Sequence, residues 1–275
     1  MQLAVPRTDE TVAAQSQNQS GLSRGWLRLV ADYDKNTDSY QRWAAGDSVY
    51  WLLEWTVLLR TIGPVDGLDV LDLACGEGRL SRALMERGAK SVIGIDISRE
   101  MIARAEQQNQ PDGPGPRYPG LTYRQVDARD QTFTLERPVD LATALYLFHY
   151  AHSPDELAQM CRFIARNLKA GGRFVTYTIN PASRFEPQEP RMEEMFGFRY
   201  DIVDPPEYRL VIGDLEVSMW QWTKEDHEAG LRAAGLTNIQ WHPLALPDEK
   251  AELTPSIQWY LDNPCCVVLS AEKPA

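Results

Sequence analysis

The 275-residue sequence lacks an excess of basic residues, paired cysteine motifs and any long apolar run. Its 28 lysines and arginines are outnumbered by 39 aspartates and glutamates, and the net charge of −11 is a poor match for a phosphate backbone or an anionic membrane. The four cysteines form no C-x-x-C pair, so we expect neither a metal site nor a disulfide framework. No segment approaches the roughly 20 apolar residues that span a bilayer.

The first residues show no basic stretch followed by an apolar one, so no secretory signal is predicted and the cytoplasm is the expected location. Residues 1–24 are rich in Gln, Ser, Thr and Asn, which is typical of a disordered leader. Residues 25–66 are aromatic and amphipathic and predict a helical lid. We expect a monomer or homodimer that binds a small molecule and neither nucleic acid nor membrane.

From residue 67 onward, short apolar strands alternate with helices, which predicts a doubly wound α/β domain over residues 67–275 with a mostly parallel sheet. The first five strands are expected at Leu68–Leu73, Ser91–Ile97, Leu121–Val126, Val139–Leu145 and Arg173–Thr178. Residues 181–222 interrupt this alternation with prolines, charges and aromatics, and only Leu215–Trp222 resembles a strand there. We therefore interpret 181–222 as a substrate-facing insertion after the fifth strand. The remaining strands are expected at Thr237–His242 and Cys265–Ser270, with a helix at Ser256–Leu261 between them.

The loop after the first strand carries the strongest chemical signal. Gly76 and Gly78 allow a tight turn and the close approach of a ligand at the carboxyl end of the strand. Two carboxylates, Asp72 and Glu77, lie in the same segment and would repel a pyrophosphate, and Ser81 replaces the third glycine of a dinucleotide fingerprint. The charges favour a cationic amino-acid nucleoside over NAD.

The segment Val70–Arg79, with the sequence VLDLACGEGR, resembles motif I of the class I S-adenosylmethionine-dependent methyltransferases, small-molecule branch. The resemblance covers residues 68–178. It implies a Rossmann-like, doubly wound, mostly parallel seven-stranded sheet with S-adenosylmethionine as the cofactor and S-adenosylhomocysteine as its product. A looser resemblance to toxoflavin-synthase-like methyltransferases depends on Thr176–Pro181 and the C-terminal region.

The resemblance assigns cofactor contacts to the ends of successive strands. Asp96 would bind the ribose hydroxyls and Asp127 the adenine amino group, while backbone near Leu145 would receive the methionine ammonium. The other expected cofactor contacts are Tyr33, Asp72, Ala74, Gly76, Gly78, Ile97, Met101 and Ala128.

The residues expected at the methyl acceptor lie after the fourth and fifth strands. His149 is the candidate general base because its unperturbed pKa suits proton transfer near neutral pH, although a histidine at the start of a helix can instead bond to backbone or ribose. Tyr177 is a second candidate catalytic residue. Acceptor contacts are expected at Tyr150, Asn180, Trp220 and Trp222.

These residues predict a methyltransferase that acts on N or O, less readily on C, of a small and planar aromatic or heterocyclic metabolite. An enzyme that binds S-adenosylmethionine but catalyses another reaction is the main alternative. An oxidoreductase is disfavoured by the acidic loop. A nucleic-acid methyltransferase is disfavoured by the acidic balance and by the lack of an Asn/Asp-Pro-Pro-Tyr motif after the fourth strand.

Overall fold

The computed structural model describes residues 49–110, 116–184, 192–194, 197–246 and 254–275. The predicted leader 1–24 and the predicted lid residue Tyr33 lie outside the described residues. Of the predicted helical lid, the structure describes residues 49–66, which begin with helix α1 (Val49–Ile62). None of the helices among the described residues is long and apolar enough to cross a membrane.

Strands and helices alternate in the first half of the domain as the sequence predicts. In chain order the elements are β1 (Asp69–Leu73), α2 (Arg79–Glu86), β2 (Ser91–Asp96), α3 (Arg99–Gln108), β3 (Leu121–Gln125), β4 (Val139–Leu145), a 3-10 turn (Phe148–Tyr150), α4 (Pro154–Asn167) and β5 (Leu168–Ile179). The strands are apolar because both faces of the sheet are covered: four of the five residues of β1 are buried.

The second half contributes β6 (Arg199–Asp204), β7 (Glu207–Ile212), β8 (Leu215–Trp220), α5 (Lys224–Ala233), β9 (Thr237–His242), α6 (Pro255–Asp262) and β10 (Cys266–Glu272). The main sheet has seven strands in the order β3-β2-β1-β4-β5-β10-β9, and β10 alone runs antiparallel to both of its neighbours. This arrangement confirms the predicted doubly wound, mostly parallel seven-stranded sheet. The order reverses between β1 and β4, which is the point where ligands bind in such sheets.

Two layers cover the sheet around that point. Helix α1 packs on β5 and β10, while α4 and α5 pack against each other. Side chains of β5 alternate between the two faces, so Phe174 contacts Phe148 with ring centroids 5.8 Å apart, whereas Tyr177 lies on the face of α1. Cys265 and Cys266 are buried, as expected for residues of a core strand.

The segment after β5 is richer in structure than the sequence predicts. Strands β6, β7 and β8 form a separate antiparallel sheet, in which β7 is central. The prediction of a single strand here was wrong because β6 and β7 are charged and half-exposed and lack a clear apolar alternation. The predicted strand Leu215–Trp222 also ends earlier, at Trp220.

Candidate functional site

The glycine-rich turn after β1 has a backbone that only small residues adopt easily. Gly76 and Gly78 have φ angles of 53° and 79°, and Ala74 shares the left-handed region at 52°. A Cβ on Gly78 would lie 2.1 Å from the hydroxyl of Tyr123, whereas a Cβ on Gly76 would have nothing within 4 Å. The turn is therefore closed on the side of Tyr123 and open at Gly76, where a ligand can approach the backbone.

Asp72 lies beneath this turn and is 1% exposed. It accepts hydrogen bonds from Ser81 Oγ at 2.6 Å and from Thr143 Oγ1 at 2.8 Å. Burial raises its pKa to about 6, although the two hydroxyls lower it in part. Asp72 thus connects β1 with α2 and β4 through hydrogen bonds. Ser81, which stands in place of a third glycine, is the donor from α2.

Asp96 at the end of β2 holds the same turn from the side. Its two oxygens accept the N–H groups of Gly76 at 2.8 Å and Ser98 at 2.9 Å. The Ser98 hydroxyl in turn caps α3 by accepting from the N–H of Met101, whose side chain is buried, and Ile97 is half-buried against the core. Asp96 therefore faces the opening of the turn with its orientation already fixed.

Asp127 follows β3 and forms a salt bridge with Arg129. Arg129 donates its backbone N–H and Nε to Asp127 Oδ1, at 2.8 and 3.1 Å, and Nη2 to Oδ2 at 2.8 Å. Nη1 of the same guanidinium donates to Glu156 of α4 at 2.9 Å. A carboxylate offers about four acceptor positions, so three bonds leave capacity for one further donor on Oδ2. Ala128 beside it is buried.

The ends of β4 and β5 meet at Tyr146, which follows Leu145 directly. Tyr146 has a φ of 58°, its N–H donates to the carbonyl of Tyr177 at 2.9 Å, and its hydroxyl donates to Glu54 Oε2 of α1 at 3.0 Å. Its ring packs perpendicular to that of Tyr177, with centroids 5.2 Å apart. A non-glycine residue in this conformation is strained, and such strain concentrates at functional sites.

Two buried polar atoms beside Tyr146 make no hydrogen bond with a nitrogen or oxygen of the described residues: His149 Nδ1 and the hydroxyl of Tyr177, which lies beside the thiol of Cys266. Burial lowers the pKa of His149 to about 3 and raises that of Tyr177 well above its usual range, so both groups are neutral at physiological pH. The His149 ring lies 5.9 Å from that of Tyr146 and 4.1 Å from that of Tyr150. The rings of Tyr146, His149, Tyr150 and Tyr177 pack on one another in an aromatic cluster, which we call the chamber.

The remaining predicted acceptor residues border this chamber or support it. Trp220 and Trp222 stack with centroids 5.8 Å apart, and Trp222 is buried with its indole N–H donating to the carbonyl of Phe148 at 3.0 Å. Trp220 is half-buried and lies 5.8 Å from the ring of His152. The Asn180 side chain donates to the carbonyl of Pro264 at 2.9 Å and accepts from the N–H of Ala182 at 3.0 Å, so it stabilises the chain after β5.

Sequence reasoning missed four residues that shape this region. Tyr146 and Arg129 lie next to predicted residues, so their positions at strand ends were available signals. Glu54 is the single acidic residue in the apolar helix α1, which was also a signal. Tyr123 had none, because its contact with Gly78 depends on how β3 packs beside the turn.

The chain is similar to known methyltransferases. Residues 70–172 match the family model described as a methyltransferase domain. The chain is 28% identical over 184 residues to a ubiquinone biosynthesis O-methyltransferase of Pseudomonas aeruginosa, covering 65% of this chain and 70% of the relative. It is 26% identical over 238 residues to an N-demethylindolmycin N-methyltransferase of Streptomyces griseus, covering 84% and 93%.

Solved structures extend the likeness to the whole fold. An S-adenosylmethionine-dependent methyltransferase from Mesorhizobium loti aligns with a TM-score of 0.60 at 24% identity, over 80% of this chain and 98% of that one. A magnesium protoporphyrin IX methyltransferase from Synechocystis, with bound S-adenosylhomocysteine, aligns at 0.58 and 19% identity, over 90% and 98%.

Proposed function

Because the chain is a class I S-adenosylmethionine-dependent methyltransferase, we propose that it methylates an oxygen or nitrogen of a small, planar aromatic or heterocyclic metabolite. The observation that carries this proposal is the chamber of Tyr146, His149, Tyr150 and Tyr177 after β4 and β5. Flat rings pack well on aromatic walls, and the polar atoms of His149 and Tyr177 that lack a nitrogen or oxygen partner among the described residues can bond to ring substituents.

The relatives support transfer to either heteroatom. The name of the Pseudomonas protein specifies transfer to oxygen, and that of the Streptomyces protein specifies transfer to nitrogen. Both are methyltransferases, which does not favour the alternative of a reaction other than methylation. When bound, S-adenosylmethionine supplies an electrophilic methyl group on a sulfonium, and the protein has to orient and desolvate the acceptor.

The residues of the first three strands are proposed to bind the cofactor. The turn of Gly76 and Gly78 is open on one side, and Asp96 beside it is oriented towards that opening and suits two ribose hydroxyls. The remaining acceptor capacity of Asp127 suits an amino group, and Ile97 and Met101 would line the adenine. Ala74, Ala128 and Leu145 would contribute backbone, with Asp72 acting from beneath.

The acceptor class is tested by a screen with methyl-labelled S-adenosylmethionine. The panel should contain phenols of graded acidity (phenol, 4-nitrophenol and pentafluorophenol) and N–H heterocycles (indole and benzimidazole), with a protein substrate and a short RNA as controls. We expect label to enter at least one small aromatic acceptor and neither macromolecule. Transfer to protein or RNA alone would contradict the proposal.

The cofactor site is tested separately by calorimetric titration with S-adenosylhomocysteine. Asp96→Ala should weaken binding by about 1–3 kcal/mol, the usual cost of losing hydrogen bonds to a charged group. The matched control is Asp66→Ala, which removes an exposed carboxylate from the turn before β1 and should leave the affinity unchanged. Equal affinities for both variants would place the ribose elsewhere.

A further inference from the structure

A carboxylate that no part of the proposed function uses, Glu54, lies beside the chamber. Glu54 of α1 is 2% exposed, and its two oxygens accept hydrogen bonds from different elements. Tyr146 Oη, from the end of β4, donates to Oε2 at 3.0 Å, and Tyr260 Oη, from α6, donates to Oε1 at 3.2 Å. A buried carboxylate held by two hydroxyls has a fixed orientation, which is the property required of a group that accepts a proton in a defined direction.

Resting on the acceptor class proposed above, we propose that Tyr146 and Glu54 form a relay that takes the proton released by the acceptor during methyl transfer. Tyr146 is half-buried, whereas Glu54 is buried, and the hydroxyl of Tyr146 donates directly to the carboxylate. The hydrogen bond from its N–H to the carbonyl of Tyr177 holds Tyr146 at this position despite its left-handed backbone.

Methyl transfer with this relay forms one bond to carbon and moves two protons. The acceptor heteroatom uses a lone pair to form the bond to the methyl carbon, and the electron pair of the breaking sulfur–methyl bond goes to sulfur. The acceptor proton passes to Tyr146 Oη, and the proton of Tyr146 passes to Glu54 Oε2. A sulfonium and a carboxylate are thereby converted into a thioether and a carboxylic acid, both neutral, which is favourable where burial penalises charge.

His149 is a poorer proton acceptor in the same chamber. Burial lowers its pKa to about 3, because an imidazolium there would lack solvation. Protonation of Glu54 removes a buried charge, whereas protonation of His149 creates one. His149 is therefore assigned to binding the acceptor, and the proton is assigned to Glu54.

The other titratable groups around Glu54 come from four elements. They are Tyr177 of β5, Tyr200 of β6, Tyr260 of α6, and Cys266 of β10 with its neighbour Cys265. Burial raises the pKa of Tyr177, Tyr200, Tyr260 and Cys266 well above the usual range. These four groups hold their own protons at neutral pH and do not compete with Glu54. Burial raises the pKa of Cys265, but hydrogen bonds with Cys266, Tyr260 and Tyr200 outweigh this effect and lower it; its thiol lies against Tyr260 and Cys266.

Kinetic assays of Glu54→Gln and Tyr146→Phe with the graded phenols and heterocycles test the relay. We expect kcat to fall about 100-fold or more for the least acidic acceptor, the usual contribution of general base catalysis, with KM close to that of the wild type. The loss should shrink as the acceptor becomes more acidic, because an acceptor that is already ionised has no proton to transfer. We expect kcat of the wild type to rise with pH and kcat of Glu54→Gln to stay level.

A readout that needs no turnover is the infrared difference spectrum during a pH titration. The wild type should show a band of a buried protonated carboxylic acid as the pH falls, over the same range in which kcat declines. The band should be absent in Glu54→Gln and shifted in Tyr146→Phe, which lacks the hydrogen bond to the carboxyl group.

A second tyrosine–glutamate pair provides the matched control. Tyr118 Oη donates to Glu86 Oε1 at 2.6 Å on the surface where β3 begins, so Tyr118→Phe and Glu86→Gln remove the same kind of bond away from the chamber. Both should retain wild-type kcat and pH profile.

Three results would overturn the relay. They are an unchanged kcat in Glu54→Gln, an equal loss for all acceptors whatever their acidity, and a Glu54 carboxyl group that does not titrate where kcat changes. A wild type that binds S-adenosylhomocysteine but methylates no member of the panel would instead overturn the proposed acceptor class, and the relay with it.

Discussion

The two halves of the site differ in how their polar groups are satisfied. Around β1, β2 and β3, the carboxylates of Asp72, Asp96 and Asp127 each accept two or three hydrogen bonds from nearby residues. After β4 and β5, His149 Nδ1 and Tyr177 Oη are buried without a nitrogen or oxygen partner among the described residues. Buried polar groups are normally paired, so the described residues satisfy the carboxylates of the first half but not these two polar atoms of the second.

This difference in hydrogen bonding suggests different roles for the two halves: cofactor affinity for the first and acceptor selectivity for the second. Under the proposed function, the first half, which we call the prebuilt half, binds the cofactor with little reorganisation because Asp72, Asp96 and Asp127 are already oriented. A half with unpaired groups discriminates between acceptors, since an acceptor that lacks the matching donor leaves the buried atoms unsatisfied. Three substitutions test whether this contrast holds.

The largest effect is expected from Gly78→Ala in the prebuilt half. The new Cβ would lie 2.1 Å from Tyr123 Oη, and the residue would keep a φ of 79°. Left-handed strain and overpacking together should cost about 3 kcal/mol or more. Urea denaturation measures this cost, and calorimetry with S-adenosylhomocysteine should show weakened binding.

Gly213→Ala is the matched control for strain alone. Gly213 has a φ of 56°, and a Cβ there has nothing within 4 Å. We expect a loss of only about 1–2 kcal/mol and unchanged cofactor affinity. If the two variants lost equal stability, Tyr123 would not be the contact that closes the turn.

Gly78 also shows why the prebuilt half could be predicted from sequence. Its features are local: an apolar strand, then glycines, then a helix that begins after Gly78, with an acid at or near the end of each of the first three strands. The doubly wound sheet follows from the same alternation. The chamber could be predicted only in part. Its members His149, Tyr150 and Tyr177 were expected, whereas the hydrogen bonds of Glu54 to Tyr146 and Tyr260 join residues that lie far apart in the chain. Strands β6 and β7 were missed because they lack the apolar alternation of half-buried strands.

A smaller effect is expected from His149 in the chamber, whose contribution to the free energy of unfolding decreases as the pH falls. Its pKa is 6.5 in an unfolded chain and about 3 in the fold. Between these values the unfolded state binds a proton that the folded state does not, so stability is present above pH 6.5 and is lost as the pH falls. The loss should approach 1.4 kcal/mol per pH unit.

The measurement is the free energy of unfolding of the wild type and His149→Gln in urea from pH 7 to pH 4. The glutamine variant should show a shallower dependence on pH, whatever its absolute stability. His242→Gln is the control, since His242 is half-buried and its lowered pKa should contribute a weaker slope. Parallel curves for the wild type and His149→Gln would mean that His149 is solvated.

The smallest effect is expected from Thr143→Val, which removes one of the two hydroxyls that bind Asp72. Asp72 has a folded pKa of about 6 against 3.8 unfolded, so its contribution to stability is complete below pH 3.8 and declines as the pH rises to about 6. Loss of the Thr143 bond should raise that pKa further. At pH 5 the acid is mainly protonated and the variant should lose about 1 kcal/mol, rising to about 2 kcal/mol at pH 8, where a charged acceptor is left short of a donor.

Thr176→Val separates the charge of Asp72 from the loss of a buried hydroxyl. Thr176 Oγ1 donates to the carbonyl of Ala144 at 2.8 Å, so its bond is equally buried but has a neutral acceptor. Its cost should stay near 1 kcal/mol across the pH range. Because the pH dependence comes from the buried carboxylate alone, only Thr143→Val should lose more stability as the pH rises. If both variants behaved alike, Asp72 would be ionised or neutral throughout, and the prebuilt half would hold its turn without any response to pH.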